Sequence, residues 1–357
     1  MNTPFIKVDM KTIVRDIGEL NRKLITGFEN LKDIKDVDVG TAPKDLIYEE
    51  DKLKLYHYKQ EKNMTCPVPV LIVYALVNKP YMLDLQPNRS LVRNLLNHGT
   101  DLYIIDWGYP TNADRYLTMD DYISGYLNNC VDFLSKRTKN EKINIMGICQ
   151  GGTFSTIYSA IYPEKIKNLV TLVTPIDFSQ DQGLLDIWSK GINVDNIVDA
   201  YNGLISGDFL NIGFLMLKPF NLFIGKYVDM LSIVDNKDLL LNFLRMEKWI
   251  FDSPDQAGEC YRQFMKDLYQ ENKLVKGTLK IGEKEVNLKN VTMPLLNVYA
   301  KADHLVHPDS TKPLNNYVAS KDKELYEFSG GHIGVFVGSK SQKELAPAIA
   351  AWLHKRA

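Results

Sequence analysis

Residues 143–160, INIMGICQGGTFSTIYSA, decide the fold of this chain. Within them, the pentapeptide GICQG at 147–151 joins a β-like run at 143–146 to a helix-like run at 153–160. This context predicts a nucleophile elbow, because the glycines permit a sharp turn that pushes the apex residue out of the sheet. The apex residue is Cys149, where most enzymes of this pattern carry serine. Since a helix N-terminus stabilises a thiolate, the sequence predicts an activated sulfur aimed at an acyl group.

Near-continuous apolar runs on both sides of the elbow predict strands that are buried on both faces. These runs lie at 70–76, 101–106, 169–174 and 294–300, and a further β-like segment follows at 324–328. An alternating run at 52–58 predicts a half-exposed edge strand. Helix-like segments occur between several of the runs, at 90–98 and 120–136, and again at 341–354. Strands that alternate with helices imply the α/β class, with a mostly parallel central sheet flanked by helices.

The alternation of strand-like and helix-like segments stops between 178 and 290, where the periodicity is mainly helical and large apolar residues are frequent. This stretch is too long for a connection within a compact sheet. We therefore expect a large, mainly helical lid or cap at 178–290, inserted into a core formed by 46–177 and 291–357. Residues 1–45 carry apolar side chains at helical spacing and predict an N-terminal amphipathic helical arm.

Composition excludes several classes of protein. The 357 residues include 43 basic and 44 acidic ones, a balance that argues against nucleic-acid binding. No apolar run approaches the roughly 18 residues of a transmembrane helix, and the N-terminus lacks the order of a signal peptide, so we expect a cytoplasmic protein without a transmembrane segment. Cys66, Cys130 and Cys260 are scattered without a CxxC pair, and we interpret them as structural.

The partners expected for Cys149 are a base and an acid that orients the base. His332 lies in the glycine-rich stretch 329–334, just after the run that ends at 328, and Asp303 follows the run that ends at 300. Both positions lie beyond the carboxyl ends of strands, where open α/β sheets place ligands. The order Cys, Asp, His is also the order of the α/β-hydrolase triad. The sequence therefore predicts a catalytic triad of Cys149, Asp303 and His332.

Other residues compete for these roles. His304 and His307 are alternative bases, although each is interpreted as a neighbour that shapes the pocket or the loop that carries Asp303. Asp309 and, more weakly, Asp177 are alternative acids. Trp107, in a turn after a predicted strand, is a candidate pocket wall together with His304, but such a turn supports the core equally well.

An oxyanion needs two hydrogen-bond donors. One is expected to be the backbone N–H of Gln150, the residue after the nucleophile. The other is expected from the loop after the run that ends at 76, which makes Val77 or Asn78 the candidate.

These residues belong to a longer pattern, and the chain resembles the catalytic subunit of the class III, two-component polyhydroxyalkanoate (PHA) synthases. The resemblance covers nearly the whole chain after about residue 40. The stretches that carry it lie at 74–81, 105–110, 147–152, 168–171, 243–259, 303–306 and 330–334.

The resemblance implies an α/β-hydrolase fold and the polymerisation of (R)-3-hydroxyacyl-CoA, typically 3-hydroxybutyryl-CoA, with release of CoA. The triad of the family falls on Cys149, Asp303 and His332, through a covalent thioester of the cysteine. No metal and no cofactor are expected, because the CoA thioester is the substrate. The resemblance also implies a non-catalytic partner subunit (PhaE type) and a location at the surface of PHA granules. We further expect a homo-oligomer.

Two other functions fit parts of the pattern. A cysteine-dependent α/β-hydrolase or thioesterase would carry the same GICQG sequence, but it would not need the large lid with its 243–259 block. A non-catalytic granule-surface or scaffold protein on the same fold would not need a complete triad.

Overall fold

The computed structural model describes residues 10–34, 36–60, 64–179 and 183–357. Its largest element is an eight-stranded sheet. In chain order, its strands are β1 Lys44–Glu50, β2 Leu53–Tyr58, β3 Cys66–Val73, β4 Thr100–Asp106, β5 Ile143–Ile148, β6 Ile166–Leu172, β7 Leu295–Ala300 and β8 Lys323–Phe328. Across the sheet they follow the order β1-β2-β4-β3-β5-β6-β7-β8.

The sheet is mostly parallel. Strand β2 pairs antiparallel with both β1 and β4, and the pairs from β4 to β8 are parallel. The predicted α/β class with a mostly parallel sheet is therefore confirmed. The prediction that the run at 52–58 forms the edge is wrong, because β1, whose residues are exposed or half-buried, covers its outer side.

Helices flank the sheet and fill the long stretch between β6 and β7. The α-helices are Met10–Asp33, Leu91–Asn97, Asn128–Thr138, Gln150–Ile161, Leu184–Gly191, Val194–Ala200, Gly207–Leu215, Lys226–Ile233, Lys237–Phe251, Gly258–Gln263, Lys273–Lys276, Pro308–Thr311, Leu314–Tyr317, Gly334–Val337 and Ala346–His354. Wider π-type turns lie at Asp121–Leu127, Phe220–Gly225, Phe264–Gln270 and Ser341–Leu345. Single 3₁₀ turns lie at Pro80–Leu83, Asn112–Asp114, Pro163–Lys165 and Leu288–Asn290. Short two-stranded pairs join Asp84–Gln86 to Arg89–Ser90, Leu204–Ile205 to Gln256–Ala257, and Lys280–Ile281 to Lys284–Glu285.

Both faces of the central strands are buried. Leu71 and Val73 of β3 belong to a hydrophobic cluster with apolar side chains of helix Gln150–Ile161. Val70 and Ile72 point to the opposite face, since strand side chains alternate, and they are fully buried as well. The parallel strands consequently deliver the loops that follow β3, β5, β7 and β8 to the same edge of the sheet.

Strand β3 ends at Val73, three residues before the predicted end. Val73 is the last residue of β3 that pairs with β5. Beyond it, the Tyr74 carbonyl accepts the indole N–H of Trp107, and the Leu76 amide donates to the side chain of Gln150. The backbone leaves the ladder because side chains provide these partners.

The chain divides into two compact units. One comprises the residues up to 38 together with 218–248, and the other comprises 39–217 and 249–357 and holds the whole sheet. The boundaries expected for the arm, core and lid stay predictions. The parts of the arm at 1–9 and of the lid at 180–182 lie outside the described residues.

The smaller unit is helical. In it, helix Met10–Asp33 approaches Val234 closely, since a Cβ placed at Gly27 would overlap the Val234 side chain. The side-chain Nδ2 of Asn30 donates to the Val234 carbonyl at 3.0 Å. The Arg245 guanidinium forms an ion pair with Asp38. Among the helices in the described ranges, none combines the length and the apolar content needed to cross a membrane.

Candidate active site

Cys149 lies between β5 and helix Gln150–Ile161. Its backbone has φ 53° and ψ −124°, and such a conformation in a residue other than glycine costs about 1–3 kcal/mol. The Cys149 amide donates to the Leu172 carbonyl at 2.9 Å, and the Cys149 carbonyl accepts from the Gly152 amide at 2.8 Å. These bonds maintain the sharp strand–turn–helix geometry of a nucleophile elbow.

Close packing explains the glycines after the cysteine. A Cβ at Gly151 would lie 2.5 Å from the carbonyl oxygen of Tyr74 and would overlap that of Val73. A Cβ at Gly152 would overlap the side chain of Thr174. The first turn of the helix can therefore approach the ends of β3 and β6 only because these two side chains are absent.

The acid and base candidates meet on the loops that follow β7 and β8. His332 Nδ1 and Asp303 Oδ2 are 2.8 Å apart, and each residue is 5% exposed. The other carboxylate oxygen of Asp303 accepts the backbone N–H groups of Leu305 and Val306, each at 2.9 Å. The carboxylate is thereby fixed on both sides, and it can set the orientation of the imidazole.

His332 also lies close enough to Cys149 for the two side chains to interact. Burial alone lowers the pKa of an imidazole, but the Asp303 carboxylate and the Cys149 sulfur outweigh burial and raise the pKa of His332 to about 10. The imidazole is therefore protonated at neutral pH, and it presents a positive charge to the sulfur.

The remaining cysteines lie in different surroundings. Cys66, Cys130 and Cys260 are buried, and burial raises the pKa of each of these thiols. Cys149 is partly exposed, so a substrate can reach its sulfur. Across the residues that the structure describes, His, Cys, Asp and Glu side chains nowhere gather in a group of three that could hold a metal.

The competing bases and acids have other partners. His307 Nδ1 accepts the Asp309 amide at 3.3 Å and caps helix Pro308–Thr311. The carboxylate of Asp177 is buried and accepts a hydrogen bond from the Asn272 side chain at 2.9 Å. These residues support loops near the sheet edge.

The two pocket candidates differ in burial. His304 is exposed, whereas Trp107 is buried and donates its indole N–H to the Tyr74 carbonyl at 2.9 Å. Contact of either with a ligand stays a prediction. Two buried phenols near Cys149, those of Tyr74 and Tyr269, were not predicted as part of the site. Tyr74 begins the stretch 74–81, but nothing in that stretch indicates a role for its hydroxyl, and Tyr269 lies in no motif.

The oxyanion candidates surround the start of the elbow helix. The Oε1 atom of Gln150 accepts the Leu76 amide at 3.0 Å. The backbone N–H groups of Val77 and Gln150 have no hydrogen-bond partner within the described parts of the chain. Asn78 adopts a left-handed conformation with φ 59°. The backbone N–H of Asn78 likewise has no partner among the residues described, so unpaired donors lie on both segments that the Gln150 side chain joins.

The strand order and the strand–turn–helix elbow at Cys149 together define an α/β-hydrolase fold. The chain matches the family model of the α/β-hydrolase fold over residues 68–339. Its fold is similar to that of a monoacylglycerol lipase from Paleococcus ferrophilus, with a TM-score of 0.53 and 16% identity over 85% of this chain and 99% of that chain. A similarity at this level of identity shows the fold alone.

A second family model, that of the poly-beta-hydroxybutyrate polymerase (PhaC) N-terminus, matches residues 6–95. A poly(3-hydroxyalkanoate) polymerase subunit PhaC from Synechocystis sp. is 51% identical over 99% of this chain and 95% of its own length. The subunit of the same name from Allochromatium vinosum is 50% identical over 96% of this chain and 97% of its own length. The chain therefore belongs to the poly(3-hydroxyalkanoate) polymerase (PhaC) family of acyltransferases, as the resemblance predicted.

Proposed function

We propose that the chain polymerises (R)-3-hydroxyacyl-CoA, with 3-hydroxybutyryl-CoA as the expected monomer, into a polyester and releases CoA. The observation that carries the proposal is that Cys149 lies close to a buried, protonated His332 that is hydrogen-bonded to Asp303. Attack of a thiolate on acyl-CoA exchanges one thioester for another. The step is nearly isoenergetic and leaves the acyl group reactive, which repeated transfer requires.

In the first half of the reaction, the Cys149 thiolate attacks the carbonyl carbon of the acyl-CoA. The oxyanion that forms accepts hydrogen bonds from the backbone N–H of Gln150 and from that of Val77 or Asn78. When it collapses, the bond between the carbonyl carbon and the CoA sulfur breaks. The leaving sulfur takes the proton from His332, and the enzyme retains an acylated cysteine and a neutral imidazole.

In the second half, the hydroxyl of another 3-hydroxyacyl unit attacks the thioester of Cys149. The neutral imidazole of His332 takes the hydroxyl proton as the new ester bond forms. The bond between the acyl carbon and sulfur breaks, so Cys149 leaves as a thiolate beside a protonated imidazole. The cycle restores its starting charges, and none of its steps calls for a metal or a cofactor.

Water competes with the hydroxyl, because hydrolysis of the thioester would end a chain. Two features support its exclusion: Tyr74 and Tyr269 are buried beside Cys149, and the proposed lid at 178–290 is rich in large apolar residues. An apolar cover also strengthens the electrostatic interactions within the site.

We also propose that the chain acts with a non-catalytic subunit of the PhaE type, at the surface of PHA granules, and as a homo-oligomer. These proposals rest on the family resemblance. An apolar surface in the smaller unit supports them: Phe220, Ile224 and Val228, spaced by four residues, are 80%, 60% and 59% exposed. Such a surface is a candidate for contact with a protein or a polymer.

The test is incubation of the purified chain, with and without a PhaE-type subunit, with (R)-3-hydroxybutyryl-CoA. Free CoA is followed by thiol titration. The amounts of insoluble polymer and of free 3-hydroxybutyrate are measured in the same sample. We expect CoA release with polymer, and loss of both in Cys149→Ala, while Cys66→Ala, a matched loss of a buried thiol, retains both. Free acid without polymer would instead indicate the cysteine-dependent hydrolase. CoA release that persists in a folded Cys149→Ala variant would refute the mechanism.

A further inference from the structure

The side chain of Asn78 binds the end of a distant helix. Its Nδ2 donates to the carbonyls of Trp249 at 3.2 Å and Ile250 at 3.3 Å, and to Ser253 Oγ at 2.5 Å. The two carbonyls belong to the last turn of helix Lys237–Phe251, where carbonyls lack partners within the helix. Asn78 therefore acts as a C-terminal cap supplied by another part of the chain.

Two further contacts bind the same loop to the same segment. The indole N–H of Trp249 donates to the carbonyl of Lys79 at 2.9 Å. The Tyr81 hydroxyl donates to Asp252 Oδ2 at 3.0 Å. Residues 78–81 are thus attached to 249–253 by both backbone and side-chain atoms.

On its other side, the loop is attached to the elbow. The Leu76 amide donates to Gln150 Oε1 at 3.0 Å, so this N–H is not available to a substrate. The next amide along the chain is that of Val77, which has no hydrogen-bond partner among the residues described. Val77 is therefore the residue between two fixed points, one at the elbow and one at the end of the helix.

The backbone of Asn78 is itself unusual. Its φ of 59° lies in the left-handed region, which asparagine and glycine tolerate better than other residues. An amide side chain supplies donors to the three oxygen acceptors that face it, whereas an aspartate in its place would oppose them with negative charge. The position consequently requires a residue that accepts this backbone conformation and also donates hydrogen bonds.

We infer that Asn78 is a positioning residue for acylation of Cys149: by binding the last turn of helix Lys237–Phe251, it orients the Val77 amide as the second oxyanion donor. The inference rests on the proposed function. It assigns to the segment 249–253 the role of completing the oxyanion site. When that segment is detached, the thiolate and the imidazole remain in place but the second donor does not.

The test compares two reactions of the same sulfur in the full chain. Acylation by (R)-3-hydroxybutyryl-CoA, measured as the first burst of CoA, develops an oxyanion. Alkylation by iodoacetamide, measured by mass spectrometry at Cys149, needs a thiolate but develops no oxyanion. A defect confined to oxyanion binding slows the first reaction and spares the second.

The main variant is Asn78→Gly, which keeps the left-handed backbone and removes the amide. Because loss of one oxyanion donor lowers rates roughly 10²–10³-fold, we expect the burst to slow by about 10²-fold while alkylation stays at the wild-type rate. The matched control is Asn202→Gly, the same exchange at an exposed residue with φ 52°, which should alter neither reaction. Ser253→Ala, which removes one of the three acceptors, should slow the burst by a smaller factor and also spare alkylation.

The outcomes separate the two proposals. A wild-type chain that gives no CoA burst even with a PhaE-type subunit present overturns the proposed function. A normal wild-type burst with an unchanged burst in Asn78→Gly overturns the inference, and so does an equal slowing of both reactions, which would indicate a general disturbance of the site. If Asn78→Gly does not fold, an unaltered burst in Ser253→Ala overturns it instead.

Discussion

The protonation of His332 can be tested directly by replacing its carboxylate partner. Burial raises the free energy of the imidazolium, and the Asp303 carboxylate at 2.8 Å, together with the Cys149 sulfur, lowers it by more, so the pKa rises from 6.5 to about 10. At 1.36 kcal/mol per pH unit, this difference corresponds to about 5 kcal/mol in favour of the charged form. The residue is 5% exposed, so solvent screening removes little of this effect.

In Asp303→Asn, the carboxylate is lost and the burial remains. Burial disfavours the charged imidazole, and we expect the pKa of His332 to fall to its ordinary value or below. In the wild type, a raised pKa in the folded state adds stability that is full below pH 6.5 and is lost as the pH rises to about 10. The free energy of unfolding of the wild type should therefore exceed that of the variant most at pH 6.5 and below, and the excess should shrink towards pH 10.

The assay is NMR of the chain labelled with ¹⁵N-histidine, in which the ring nitrogens of the six histidines report their own titration. His332→Gln assigns the signal. Asp101→Asn is the matched control, since Asp101 Oδ1 lies 2.7 Å from His57 Nε2, and it should leave the His332 titration unaltered. If His332 titrated near pH 6.5 in the wild type, or if Asp303→Asn did not move it, the explanation given for its charge would be wrong.

Two further predictions concern packing and are read from urea unfolding. Gly151→Ala should lower the free energy of unfolding by about 3 kcal/mol, because its Cβ would overlap the backbone oxygen of Val73. The control is Gly213→Ala in a helix, whose Cβ meets nothing within 4 Å and which should be neutral or stabilise by about 1 kcal/mol. Equal effects of the two exchanges would refute the packing argument. Asn272→Ala should lower the free energy of unfolding by about 2 kcal/mol or more, since it leaves the buried Asp177 carboxylate without one donor and places alanine at φ 50°. Asn272→Gly should recover the part of this loss that comes from the backbone conformation. An unchanged stability of Asn272→Ala would count against a role of Asn272 in binding Asp177.

The fold was predictable because its strongest signals are local. Strands buried on both faces give continuous apolar runs, and these runs located the strands from β3 to β7. The β-like segment 324–328 located β8, most of whose residues are exposed. Strand β1 was missed because KDLIYEE is polar and its residues are exposed or half-buried. In β1, apolar and polar residues do not alternate, so only its pairing with β2 defines it as a strand.

The site was predictable only in part. The positions of Cys149, Asp303 and His332 follow from strand ends, and the structure brings these three side chains together. The contacts of Asn78 and of the Gln150 side chain were not predictable. Each joins segments that are far apart in sequence, with separations of 171 and 74 residues for the bonds to Trp249 and Leu76, and no local pattern records such a pairing.

The two halves of the proposed machinery are supported in different ways. From the elbow to the base, the ends of neighbouring strands are joined by three backbone hydrogen bonds. They run from the Cys149 amide to Leu172, from the Val173 amide to Val298 and from the Lys301 amide to Phe328. The relative position of sulfur and imidazole therefore depends on the register of adjacent strands, which is rigid. The Val77 amide has no such support and depends on side-chain bonds from Gln150 and Asn78. Since backbone ladders persist while single side-chain bonds open locally, a change that weakens acylation without disturbing the thiolate should arise at this loop.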